Sequence, residues 1–266
     1  MAFKLFDYQS SGKGVSKSAP QKKPFFKYWE IFGRKFWKLI ELNMLYVLFC
    51  IPIITFGPAT AALTHVMRKF ILEQPCFVFD EFFTAFKKNF KQSVFIGIVD
   101  VIMIVSVWIA CFQFLMNESL PDGSLVFICI MICCATLVFI MHFYIYLEIV
   151  ALNLSIGSIL KNAVFLVFLG VKRNFIALII NLVIISLIVL FLPFSVFAVI
   201  FLPLSLMCFT TTFICYPVIQ KYIVNPYYEE RGERNPELGS ITEEDIAENA
   251  VFVDRGGSEK EIKATP

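Results

Sequence analysis

Asp100 and His142 are the side chains from which chemistry could most readily be built. Each lies inside an apolar run, where an ionisable group in hydrocarbon costs roughly 2.5 kcal/mol or more. A carboxylate and an imidazole at one depth could share a titrating proton, or could simply clasp two helices. Asp100 lies about eight residues past Gln92, and His142 about eight before Val150, so antiparallel helices joined by a short loop would set both roughly 12 Å in from the same face. Asn43, Asn181 and Thr210-Thr211-Thr212 fall on that side too. Asp100, His142, Asn43 and Asn181 therefore form the candidate intramembrane polar cluster, read as a cytosol-facing vestibule. The opposite half is almost uniformly apolar, whereas a conduit needs polar residues throughout, so the clasp is the preferred reading. Glu41 and Glu148 are expected to snorkel to the interface.

Other chemistry is scarce. The sequence has only two histidines and no Walker loop, G-x-S-x-G or H-E-x-x-H. Of the eight cysteines, Cys50, Cys111, Cys129, Cys133, Cys134, Cys208 and Cys215 sit in apolar runs and Cys76 in a polar connection. No C-x-x-C occurs, so they read as small apolar residues at helix contacts. The expectation is no catalytic residue, no metal and no cofactor; a scattered-carboxylate intramembrane enzyme ranks third among functional readings. Asn117-Glu118-Ser119 matches a glycosylation sequon by chance.

A second constellation is conformational. Pro52, Thr55, Gly57, Pro58 and Ala59 interrupt the first apolar region, because Gly-Pro ends one helix and proline suits the start of the next. Small residues there favour close helix packing. An unwound ligand site, as in transporters with broken helices, is the alternative; no second broken helix is evident to complete one.

The elements that position these residues are membrane helices. The 266 residues are 58% hydrophobic and 17% charged, with mean hydropathy +0.76, against about a quarter charged in a soluble domain. Val94–Met116, Leu125–Val150, Phe175–Leu192 and Ser195–Tyr216 each reach the roughly 20 residues a span needs, and Pro193 splits the last two into a hairpin. No cleavable signal is expected, because the first apolar run begins near Phe36 behind a polar arm. One span over residues 37–63 would put the basic 68–91 segment outside and invert the positive-inside rule. A hairpin, Trp37–Ile54 then Pro58–Leu72, leaves every basic cluster cytosolic. These include Lys13, Lys17, Lys22, Lys23, Lys27, Arg34, Lys35 and Lys38 of the arm, then Lys161, Lys172, Arg173 and Lys221.

The fold class expected is therefore all-α, a polytopic transmembrane bundle of about six membrane helices with both termini cytosolic. Two cytosolic interfacial helices accompany it, near residues 80–90 (Phe82, Phe83, Phe86 and Phe90 on one face) and 155–170. Each ends in a similar phrase, Phe86-Lys87-Lys88-Asn89-Phe90 and Val171-Lys172-Arg173-Asn174-Phe175, a weak hint of duplication. Residues 1–35 form a basic arm and 225–266 an acidic tail, both expected to be largely disordered, with at most a short helix near Glu243–Ala250. Cysteines introduced at Ser119 or Asp122 should react with impermeant thiol reagents from outside and one at Lys69 should not; external labelling at Lys69 would overturn this topology.

The pattern Phe36-Trp37-x-Leu39-x-x-x-Asn43-x-Leu45, then Pro52-x-x-Thr55-x-Gly57-Pro58-Ala59-x-x-Ala62, resembles the opening of the YesL family, as does Asp80-x-Phe82-x-x-x-Phe86-x-x-Asn89-Phe90-Lys91-Gln92. The resemblance runs over roughly residues 28–220. It implies a bacterial cytoplasmic-membrane protein of unknown function, encoded beside sugar-uptake transporters and polysaccharide-degrading enzymes, with no catalytic residues to carry over. Taken with the charged tails suited to docking, it favours a non-enzymatic accessory protein for carbohydrate uptake. The partners would be the lipid bilayer and sugar-transporter subunits, with no nucleic acid. A small transporter or channel using the vestibule is the alternative.

Overall fold

The computed structural model describes residues 23–116, 124–152, 154–233, 235 and 237. The sequon, the Ser119 and Asp122 loop positions, residues 1–22 and the 243–250 helix lie outside them. The chain divides into two units, up to Tyr222 and from Ile223.

Among the described residues the fold is all helix. The order is α1 (Pro24–Cys50), a 3-10 turn (Ile53–Thr55), α2 (Phe56–Ile71), α3 (Val78–Met116), α4 (Ser124–Ala151), α5 (Ile156–Leu169), α6 (Val171–Leu190), α7 (Ser195–Phe201), α8 (Pro203–Ile219), a π-helical turn (Gln220–Val224) and α9 (Asn225–Arg231). Four stretches among them have the length and composition to cross a membrane: Val78–Ala110, Val126–Ala151, Val171–Leu190 and Pro203–Arg231. These four are picked out by length and composition alone, and the two helices of the expected first hairpin fall outside that selection. α1 carries Lys35, Lys38 and Glu41 along its middle, and α2, at 16 residues, is only about 24 Å long.

α2 is instead the centre of the bundle, packed against α1, α3, α4 and α8. Gly57, Pro58, Ala59, Ala61 and Ala62 are buried, and such small residues let neighbouring backbones close in. Its end is fixed by a Schellman motif, Gln74 N–H donating to the Lys69 carbonyl and Glu73 N–H to that of Phe70, with Glu73 in the left-handed region at φ 56°. Arg34 donates to the Glu73 carboxylate at 2.5 Å, and this hydrogen bond holds that carboxyl below its ordinary range. Its contribution is small for a half-exposed pair and fades as pH falls through the carboxylate range, the sign for a depressed acid.

The first interfacial helix does not exist as a separate element: residues 80–90 are the start of α3. Asp80 and Glu81 occupy its first turn, and no glycine or proline interrupts it before Gly97. Phe82 is fully buried, and Phe82, Phe83 and Phe86 surround Phe49 at centroid distances of 5.5, 5.1 and 5.2 Å. They close the core rather than lie among headgroups. α5 does form, with the Ser155 side chain accepting from Ser158 N–H. The two similar phrases thus stand differently, one inside a continuous helix and the other at a break.

Two described stretches within the expected arm and tail, residues 24–35 and 225–231, are helical. α1 begins at Pro24, proline being suited to a first helical position, and Ile31 is buried. Tyr28 reaches Thr210 at 2.9 Å, so residues 24–35 dock on α8. In the second unit α9 closes on Gly232 at φ 64°, and Asn235 donates to Asn225 at 2.9 Å. Finally, the expected Ser195–Tyr216 span breaks at Leu202, because Pro203 opens α8 as its first residue.

Candidate functional site

The four candidate cluster residues do not meet in one place. Asp100 on α3 and His142 on α4 do: His142 Nε2 faces Asp100 Oδ1. Tyr146, one turn after His142 and so on the same helix face, donates to Asp100 Oδ2 at 2.6 Å. The Val138 carbonyl, 2.7 Å from His142 Nδ1, can only accept, so Nδ1 carries a hydrogen. One proton then lies between Nε2 and Oδ1, and whichever atom holds it the pair is neutral overall. Asp100 and Tyr146 are buried. Tyr146 was not singled out from the sequence, although its spacing from His142 is the signal that could have found it.

Asn43 does something else. Its side-chain N–H groups donate to the carbonyls of Val199 at 2.8 Å and Ile200 at 2.7 Å, and its Oδ1 accepts from Ser205 N–H at 2.7 Å. It therefore caps both sides of the α7–α8 break, the second broken helix that the sequence hid inside one apolar run. Backbone groups freed by a break must be satisfied where no water reaches, and Asn43, fully buried, satisfies these. Asn43→Leu strands two carbonyls and an amide, each worth about 1–3 kcal/mol when buried. At about 2–4 °C per kcal/mol for a chain of this size, the thermal midpoint in detergent should drop by roughly 6 °C or more; an unchanged midpoint means the break is held otherwise.

Asn181 donates to the Ala177 carbonyl at 2.8 Å and to Thr211 at 2.9 Å, tying α6 to α8. The break motif likewise looks inward. Thr55 Oγ donates to the carbonyls of Phe49 and Pro52 at 2.5 and 2.7 Å. A Cβ placed on Gly57 would lie 1.9 Å from the Ser93 carbonyl oxygen. Pro52 shapes the turn before the 3-10 segment, while Pro58 and Ala59 are buried against the neighbouring helices.

Glu148 overturns its expected role. It is fully buried rather than snorkelling, both carboxylate oxygens lack a hydrogen-bond partner, and Asn162 of α5 is the polar side chain facing it. Glu41, by contrast, is exposed. One turn earlier on α4, Tyr144 donates to Asn174, whose side-chain N–H donates to the Val167 carbonyl at 2.9 Å. A Cβ on Gly170 would lie 2.4 Å from the Tyr144 hydroxyl, which explains glycine at the α5–α6 junction.

Among the described residues no group of three His, Cys, Asp or Glu could hold a metal. Cys129, Cys133 and Cys134 are exposed, while Cys76, in its polar connection, is buried. A cavity of about 310 Å³ lies between the α5–α6 junction and the end of α8, and Asp100 and His142 are not among its walls.

Residues 39–111 match the family model of a protein of unknown function, DUF624, the family that includes the YesL proteins. The resemblance read from the sequence holds over that segment, which runs from α1 into α3 and contains the break motif and Asp100. No curated protein and no solved structure matches the chain.

Proposed function

We propose that this integral membrane protein acts by binding a partner within the bacterial cytoplasmic membrane, as a non-enzymatic accessory of a sugar-uptake complex with both termini cytosolic. The observation that carries this reading is the α3–α4 hairpin beyond Asp100. A helix packed in a bundle leaves one face outward, yet Ile104, Val105 and Ser106, three successive residues, are all exposed, as are Ile132, Cys133 and Cys134 on α4. Three successive exposed positions span more than half of a helix circumference, so here the hairpin is covered only along the narrow, half-buried stripes of Met103, Val107 and Ala110 and of Met131, Ala135 and Val138. Trp108 at 65% and Phe127 at 72% exposure are large apolar anchors for another helix. The link to carbohydrate uptake comes from the family resemblance.

Photoreactive residues at Trp108 and Phe127, followed by affinity purification from cells grown on inducing polysaccharide, test it. A sugar-permease subunit crosslinked at these positions is the expected result. Labelling by lipid alone, with no transporter subunit recovered, removes the reading.

A small transporter is the second reading, favoured by Glu148, since a buried carboxylate with no cation beside it among the described residues is a costly feature usually tied to function in membranes. It predicts solute or proton flux in reconstituted vesicles that is lost on Asp100→Leu or Glu148→Gln. Absence of flux across sugars, protons and common ions rejects it.

A further inference from the structure

The cavity between the α5–α6 junction and the end of α8 is lined by both basic and apolar side chains. Lys172, Arg173 and Lys221 line it together with Leu169, Val171 and Val218. None of the three basic residues forms an ion pair among the described residues, in contrast to Arg34, Lys27 and Lys69, each of which faces a glutamate. Lys221 only overlies the ring of its neighbour Tyr222, at 5.2 Å. Three cations beside one cavity, without a carboxylate of their own, call for an anion from outside the chain. Arg173 and the two lysines are side chains that bind phosphate oxygens well.

The surroundings choose among phosphate bearers. α5 runs into the cavity and presents Val164, Phe165 and Phe168 outward, an apolar surface continuous with Leu169 in the cavity wall. A soluble phosphate ester has no use for that surface, whereas the acyl chains of a lipid cover it. The basic residues also belong to the face read as cytosolic, where the anionic leaflet lies.

We propose that this cavity binds the phosphate headgroup of an anionic membrane lipid, with the headgroup against Lys172, Arg173 and Lys221 and the acyl chains along α5. The site is independent of the partner-binding reading above and stands or falls separately from it.

Full-length protein in phosphatidylcholine nanodiscs doped with phosphatidylglycerol, read by native mass spectrometry of retained lipid, tests the proposal. The wild type should retain phosphatidylglycerol over phosphatidylcholine. Lys172→Gln, Arg173→Gln and Lys221→Gln together should lower that preference by on the order of a hundredfold, about fivefold for each basic group. A control with Lys87→Gln, Lys88→Gln and Lys91→Gln removes equal charge from the same side and should keep it. All six are exposed or half-buried, and monodispersity in size-exclusion chromatography checks that both variants are intact. Equal loss in both variants, or no preference in the wild type, overturns the proposal. So does full displacement of the retained lipid by glycerol phosphate at millimolar concentration, which would make this a site for a soluble solute.

Discussion

Gly57→Val is expected to leave little monodisperse protein, whereas Gly33→Ala should fold as well as the wild type or slightly better. The difference is one of space. A Cβ on Gly57 would lie 1.9 Å from the Ser93 carbonyl oxygen, 2.8 Å from its carbon and 3.0 Å from Gly97 Cα; a Cβ on Gly97 would lie 2.5 Å from Gly57 N. Every atom met is backbone, so no side chain can swing aside, and α2 or α3 must move as a body. α2 is the wrong helix to move, because Ala59, Ala61, Ala62, Val66, Met67 and Phe70 are all at 0% exposure. Overpacking costs about 1–3 kcal/mol where side chains can adjust, and more where they cannot. Gly33 has nothing within 4 Å, so alanine there gains up to about 1 kcal/mol of helix propensity. Fluorescence-detected size exclusion and thermal midpoints of the two variants measure the contrast. A Gly57→Val protein that melts like the wild type would show that α2 and α3 do not cross at this point.

The sequence pointed to Gly57 as a break and to packing as its purpose, but not to which helix it meets. Pattern reports the period of burial along one element, whereas the partner depends on the crossing of two. Spans α3, α4 and α6 were legible because an apolar run of about 20 residues matches the thickness of the hydrocarbon core. The fusion of residues 80–90 with α3 was not: Lys87, Lys88 and Lys91 mark a change of environment, yet helices end at glycine, proline or a cap, and none stands there. The α7–α8 break was hidden for the opposite reason. Pro203 sits in an unbroken apolar run, and its consequence appears only through Asn43, some 160 residues earlier, whose polar atoms account for the freed backbone. The polar cluster was half legible on the same logic. Depth counting brought Asp100 and His142 together across one antiparallel hairpin, where register is short-range. Asn43 and Asn181 share their depth but face other helices, and depth says nothing about azimuth. Glu148 misled for that reason too: its nearness to the end of α4 permits snorkelling, but α5 folds back and covers that face.

Asp100→Leu and Asp100→Asn should differ sharply in stability, and the contrast decides what the pair is for. Leucine leaves His142 Nε2 and the Tyr146 hydroxyl without their partner in a buried setting. Breaking a buried charged pair from one side costs about 3–5 kcal/mol. Asparagine keeps both contacts: its carbonyl oxygen accepts from Tyr146, and its amide donates to Nε2. The Val138 carbonyl has already fixed the hydrogen on Nδ1, so the neutral tautomer is ready to accept. The wild-type pair is neutral overall, and so is this arrangement, so the expected loss for Asp100→Asn is about 1 kcal/mol. His142→Ala removes the same contact from the other side. The double variant Asp100→Leu with His142→Ala should therefore cost little more than Asp100→Leu alone, a coupling of about 1–3 kcal/mol in the double-mutant cycle. Chemical unfolding in mixed micelles measures all four states. Additive losses would mean the two residues do not hold one another. If the cycle couples but asparagine costs as much as leucine, the charge-shifting carboxylate is what the bundle needs, and a proton-handling role gains over a clasp. With asparagine tolerated and coupling intact, Asp100, His142 and Tyr146 are a structural fastening between α3 and α4, placed where the hairpin leaves the packed bundle and its free apolar surface begins.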